Sequence, residues 1–181
     1  MTTPTTVSKP RRKTLRIALF TLLALLVVGL GGWTTICPCD RTPGLVLLGS
    51  SHDEPVTNWS FANDVPLCQL QVWTGLGPRA MNLNCMATPE GDLFISCSVG
   101  QKKFWCGEVK PNASARIRLN GTVYPVTLNR VLDAATLDKA WAARVTKLQK
   151  YGGGPYNPVP KPDARRPETW WSFQARSAGV S

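Results

Sequence analysis

The stretch QLQVWTGLGPRAMNLNCMATPEGDLFISCSVGQKKFWCGEVKPNASARIRLNGTVYPVTLNRV, residues 69–131, decides the fold. Alternation with a period of two runs through it, broken by turn chemistry. Cys68, Leu70 and Val72 share one face, and Gln69 and Gln71 the other. Met81, Leu83 and Cys85 alternate with Asn82 and Asn84, Leu93, Ile95 and Cys97 with Ser96 and Ser98, and Ile117 and Leu119 with Arg116 and Arg118. Successive side chains of a strand point to opposite faces, so this pattern predicts half-buried antiparallel strands. Pro89-Glu90-Gly91-Asp92 closes one hairpin and Asn120-Gly121 another; Asn-Gly is favoured where both turn residues need positive φ. The expected product is a meander with one oily face and one unusually polar face.

On the C-terminal side, Asp133 reads as the N-cap of a helix. Leu137, Trp141, Val145 and Leu148 recur at helical spacing, with Lys139, Arg144 and Lys147 on other faces, and Gly152 to Gly154 stop the helix. The dense Gly and Pro of residues 151–167 predict a loop, and residues 170–175 alternate again as a closing strand. The fold class is therefore α+β, mainly β with one or more helices. On the N-terminal side, residues 37–65 form a connector with one apolar patch, Leu45 to Leu48, which reads as a short strand or a packed arm.

Residues 17–36 carry no charge and are mostly Leu, Val, Ala, Ile and Gly. A helix of about 20 residues spans a hydrocarbon core of about 30 Å, and Trp33 falls where an interfacial aromatic belongs. A cleaved signal peptide is the alternative, but its apolar region is about 7–15 residues and ends in a small-x-small site. The run here is longer, and Gly31-Gly32-Trp33-Thr34-Thr35 is a poor site. The formal net charge of +10 is uneven: Lys9, Arg11, Arg12, Lys13 and Arg16 supply half of it before any acidic residue. Cations that flank a span stay in the cytoplasm, so the cluster is membrane-flanking and nucleic acid is not an expected partner. The predicted organisation is a basic cytoplasmic tail (1–16), a single transmembrane helix (17–36), a connector (37–54), an extracytoplasmic β domain (55–177) and a tail (178–181).

Six cysteines outside the cytoplasm suggest disulfides, with 15 pairings available. Cys68, Cys85 and Cys97 share the oily parity. Cys85 and Cys97 lie symmetrically about the Gly91 turn, as a cross-strand disulfide or as two small buried hydrophobes. Cys106 falls in a loop beside Trp105. Cys37-Pro38-Cys39 is a lone C-x-C pair, short of the four ligands of structural zinc, so no metal is expected. His52 is the one histidine and lies on a connector with no G-x-S-x-G, which excludes a standard serine-hydrolase triad.

The same residues carry a resemblance. Arg79-Ala-Met-Asn-Leu-Asn, the Gly91 turn, Leu93-Phe-Ile-Ser-Cys-Ser, Lys102-Lys103-Phe104-Trp105 and Arg116-Ile-Arg-Leu resemble the pyridoxamine 5'-phosphate oxidase-like family of flavin-binding split β-barrels. Trp59-Ser-Phe and Trp170-Trp-Ser-Phe-Gln-Ala fit its flanks, so the resemblance spans roughly residues 55–176. It implies an antiparallel split barrel, a homodimer, and FMN as cofactor, with haem or deazaflavin held by some relatives. It places Arg79, Ser96, Ser98, Lys102 and Lys103 around the cofactor phosphate, with Trp105 at its border. One departure is plain: Asn84 stands where many members have Lys. The activity implied is that of an oxidoreductase acting on a small molecule of unknown identity, with no nameable acid-base residue. The alternative is a barrel without cofactor serving as a binding or envelope-associated module.

Overall fold

The structure is a computed structural model that describes residues 11–36, 43–155 and 157–178. Lys9 and the Cys37-Pro38-Cys39 pair lie outside the described residues.

Helix α1 covers Arg11–Ile36, and its apolar stretch Arg12–Trp33 is long enough to cross a membrane: 22 residues at about 1.5 Å each reach about 33 Å. None of that stretch is buried against protein.

The remaining elements in chain order are β1 (Ser50–Ser51), β2 (Cys68–Thr74), β3 (Gly77–Leu83), β4 (Cys85–Ala87), β5 (Leu93–Cys97), α2 (Phe104–Glu108), β6 (Ala113–Leu119), β7 (Thr122–Arg130), α3 (Ala134–Tyr151) and β8 (Trp171–Ser177). The strands form one sheet in the order β3-β2-β6-β7-β8-β5-β4. Every pair in that path is antiparallel, and the two-residue β1 adds in parallel to β7. The two ends of the order are joined by a single residue, Asn84, whose carbonyl still accepts the Ser96 N–H at 2.9 Å. The sheet thus curls round on itself, and the chain is an α+β protein built on a split antiparallel barrel.

The turn chemistry acts where the sequence places it. Asn120 and Gly121 both adopt positive φ, +48° and +87°, between β6 and β7. Gly91 also has positive φ, and a Cβ there would come within 2.8 Å of the Asn58 side chain.

Alternation sorts the strands into two packing layers. Leu70, Val72, Ile95, Ile117, Leu128 and Phe173 fill the barrel interior. On the outside, α3 packs over Met86, Phe94 and Trp170. Each large side chain buried there contributes about 1.5–3 kcal/mol. Strand β5 is consequently buried along its whole length, which corrects the expectation of a half-buried strand with a polar outer face. The polar parity of β5 does not meet solvent because α3, distant in sequence, lies on it. A second correction concerns α3. Asp133 caps it, accepting the Thr136 N–H at 2.8 Å. The buried face, however, is Ala140, Arg144, Val145, Lys147 and Leu148, so two cations assigned to other faces point into the protein.

The apolar patch near Leu45 is a packed arm. Gly44 exchanges both backbone hydrogen bonds with Ala80 on the edge of β3. Leu47 is buried with its N–H donated to Gln71, and Arg116 and Arg118 donate to the carbonyls of Leu47 and Leu48. Residues 44–48 are thus stitched across the outer face of β3, β2 and β6.

Cys85 and Cys97 are not partners. The register sets Cys85 opposite Ile95, two residues short of the Cys97 that symmetry about Gly91 would place there. Cys85 bonds instead to Cys68, and Cys97 to Cys106, with Cα separations of 5.9 and 6.6 Å. The parity assignment stands, since Cys68, Cys85 and Cys97 are all fully buried in the interior cluster. The first disulfide pins the bend where β3 passes into β4. The second ties α2, a short helix where the sequence suggested a loop, to the end of β5.

Candidate functional site

The register places several predicted residues at one end of the barrel. That end consists of the finish of β2, the start of β3, the finish of β5 and β7, and the start of β8. Arg79 opens β3 on the interior parity, opposite Val72. Ser98 follows β5 and is exposed, as are Lys102 and Lys103 in the turn that leads to α2. The Arg79 guanidinium lies 5.8 Å from the Phe104 ring, which brings β3 to the segment carrying both lysines. Phe104 is 48% exposed, so this contact leaves aromatic surface open. Trp105 is turned inward, 7% exposed, with its ring 5.5 Å from that of Phe173. It supports α2 from beneath, in the core.

Ser96 has a separate environment. On the outer face of β5 it is 5% exposed, and its hydroxyl oxygen accepts from Arg144 Nη1 at 2.7 Å and from Trp170 Nε1 at 2.8 Å. The structure therefore does not bring Ser96 together with Arg79, Ser98 and Lys102 on one open surface. Asn84, at the position of the family lysine, donates to the Asn157 side chain at 2.7 Å.

Two cations that the sequence reading did not single out border this end. Arg130 closes β7 and stacks on Trp171, with its guanidinium carbon 3.2 Å from the ring centroid. Burial lowers its pKa. Arg144 reaches over from α3, and burial pushes its pKa down to about 10. Lys103 feels both effects: loss of solvent first, then the Arg144 charge, hold its pKa below the ordinary lysine value. A signal for Arg144 was available, since it sits three residues after Trp141 and four before Leu148, inside the apolar stripe. Nothing in the local sequence flags Arg130.

Among the described residues the ion pairs are Lys150–Asp64 and Arg166–Asp138, so none of these five cations has a carboxylate partner. Glu108, the acidic residue of α2, accepts from the Gly75 N–H instead. An end bearing five cations, none of them ion-paired among the described residues, is chemically suited to an anion. Guanidinium and ammonium donors give phosphate both charge and directed hydrogen bonds.

A cavity of about 450 Å³ lies elsewhere, between α3, the turn at Ser60–Asp64 and the β4–β5 hairpin. None of the predicted site residues lines it. Lys147 does, but its amine is committed to the carbonyls of Ala62 and Cys85. No cluster of three or more His, Cys, Asp or Glu side chains suited to a metal occurs among the described residues. His52 packs near Tyr124, with ring centroids 5.1 Å apart.

No protein-family model matches the sequence, and no curated protein matches it. Similar solved structures include a NimC/NimA family protein of Clostridium acetobutylicum, at 15% identity and a TM-score of 0.43, covering 65% of this chain and 78% of that one. A conserved hypothetical protein of Mycobacterium tuberculosis matches at 10% identity and a TM-score of 0.43, over 71% and 86% of the two chains. A pyridoxamine 5'-phosphate oxidase-related, FMN-binding protein of Nostoc punctiforme matches at 15% and 0.36, over 65% and 71%. At such values the likeness is too distant to transfer a ligand or an activity.

Proposed function

We propose that this chain is a membrane-anchored split-barrel protein that binds a flavin phosphate, FMN, at the barrel end bearing Arg79, Ser98 and Lys102, and that it acts as an oxidoreductase on a small molecule. The observation that supports this reading is the approach of Arg79 to a half-exposed Phe104, the residue that follows Lys102 and Lys103 in sequence, with no ion pair to any of the three cations among the described residues. The cations supply charge and donors for a phosphate, and the open face of Phe104 supplies apolar surface for a planar ring. Bound flavin supplies the electron-transfer chemistry, while the protein supplies phosphate contacts, ring orientation and access.

In this reading α1 crosses the cytoplasmic membrane once, with the basic N-terminus inside and the barrel outside. The two disulfides of the barrel fit an oxidising compartment. A homodimer, which the family resemblance implies, would cover the exposed Trp73 and Leu76. The deciding experiment is titration of the full chain in detergent with FMN and with riboflavin.

The second reading, a barrel without cofactor that acts as a binding module, is favoured by two observations. Ser96 is occupied by Arg144 and Trp170, and Asn84 stands in place of a cation. Absence of flavin binding by the folded chain decides for it.

A further inference from the structure

We propose that the end of the barrel opposite Arg79 binds an oligosaccharide of neutral sugars, in two adjoining cavities. The site is separate from the proposed flavin site and stands whether or not flavin binds.

This end is made by the start of β2, the finish of β3 and the turn between β6 and β7, with the Ser60–Asp64 turn beside it. Two open cavities of about 350 and 430 Å³ adjoin there, since Val65 and Asn120 line both. Each falls in the range of small-molecule sites, about 300–1,000 Å³.

The first cavity is aromatic. Phe61 and Tyr124 line it, with ring centroids 5.7 Å apart and planes at 44°. Phe61 is 38% exposed. Both rings rest on the buried Trp59, which stacks on Phe61 at 5.7 Å and meets Tyr124 edge-on at 5.4 Å. The aromatic surface is therefore fixed before a ligand arrives, which lowers the ordering cost of contact.

The second cavity is polar. The register sets Asn82, Gln69 and Arg118 side by side across β3, β2 and β6, and all three line it. Arg118 is held by two donors, Nε to the Gln69 side chain and Nη1 to the Leu48 carbonyl at 2.6 Å. That fixes the plane of the guanidinium and leaves Nη2 uncommitted among the described residues. Asn120 stands between the two cavities, at the positive-φ turn.

A sugar ring has C–H faces that pack on aromatic rings, and hydroxyls that both donate and accept. The two cavities offer both surfaces in sequence. Amide side chains donate and accept at once, which suits hydroxyls better than it suits an ion of either sign. The lining charges are one of each sign, Asp64 and Arg118. An organic cation on the rings is disfavoured because Asp64 already meets Lys150 at 3.7 Å. Two cavities in line call for a ligand of more than one ring.

The test is calorimetric titration of the full chain, in a detergent without a sugar headgroup, with maltotetraose, cellotetraose and N-acetylated chitotetraose as probes and choline as the control. Saturable binding of at least one tetrasaccharide is expected. Phe61→Ala and Asp64→Asn, both at exposed positions where the chain stays folded, are each expected to weaken it by roughly 10-fold, the order of one aromatic or one charged hydrogen-bond contact. No saturable binding of any tetrasaccharide by the folded chain overturns the proposal, as does sugar binding indifferent to both substitutions. Saturable binding of choline in place of the sugars also overturns it, because the aromatic pair then reads a cation. None of these outcomes bears on FMN binding at the other end, which its own titration decides.

Discussion

Arg144 Nη1 donates a 2.7 Å hydrogen bond to Ser96 Oγ, fastening α3 to the outer face of β5. The same oxygen serves Trp170 Nε1, so one serine is the acceptor for two buried donors. Ser96→Ala is expected to be more damaging than its small size suggests, at about 1–3 kcal/mol for each orphaned donor. Arg144→Met, which removes the buried charge at similar volume, is expected to cost less, because replacing a buried ion by a packed apolar group is often close to neutral. Urea unfolding of the two variants checks the order, and a larger loss for Arg144→Met contradicts it.

The disulfide assignment is open to peptide mapping under non-reducing conditions. The expected linked pairs are Cys68 with Cys85 and Cys97 with Cys106. A peptide joining Cys85 to Cys97 contradicts the register of β4 on β5. Closing a loop with a separation of 17 residues stabilises by about 3 kcal/mol, so Cys68→Ala/Cys85→Ala should lower stability by that order.

That pairing marks a boundary of what the chain reveals by itself. The interior parity of Cys68, Cys85 and Cys97 was legible because alternation is a local property of strands. The partner of each was not, because a shift of two residues in the hairpin register, which keeps the face, moves Cys85 from Cys97 to Ile95. The Asn120-Gly121 turn and the Asp133 cap were legible for the same local reason. The burial of Ser96 was not, since the helix that covers it begins 38 residues later, at Ala134. Of the proposed site, the approach of Arg79 to the lysine segment depends on Phe104, and Arg144 and Arg130 arrive from elements that no motif connected to it.

Lys147 predicts a pH dependence. Its amine is buried, donating to the carbonyls of Ala62 and Cys85, and burial pushes its pKa from 10.5 down to about 8. The folded pKa lies below the unfolded one, so between these values the unfolded chain binds more protons. Stability therefore rises with pH from about 8 toward 10.5, and below 8 the cost of the buried charge is present in full. The expected gain between pH 8 and 9.5 is about 2 kcal/mol, at 1.36 kcal/mol per unit. Arg144, lowered to about 10, acts in the same direction only above that range. Lys147→Met should flatten the rise; an unchanged slope in that variant contradicts the assignment.

The proposed topology rests on the length of α1 and on the cations from Lys9 to Arg16 around its N-terminal end. A reporter fused after Ser181 is expected to be active only outside the cytoplasmic membrane, and the chain is expected to stay with membranes after alkaline extraction. Cytoplasmic activity of the fusion reverses the orientation, and release on extraction removes the uncleaved anchor.

The central claim is that the Arg79–Phe104 end of the barrel holds a flavin phosphate, and the most direct measurement is equilibrium titration of the full chain and its Lys102→Ala variant with FMN and riboflavin. A charge-assisted contact of about 1.5–3 kcal/mol predicts roughly 10- to 150-fold weaker FMN binding by Lys102→Ala, with riboflavin much less affected. No measurable FMN binding by the folded, unmutated chain contradicts the claim.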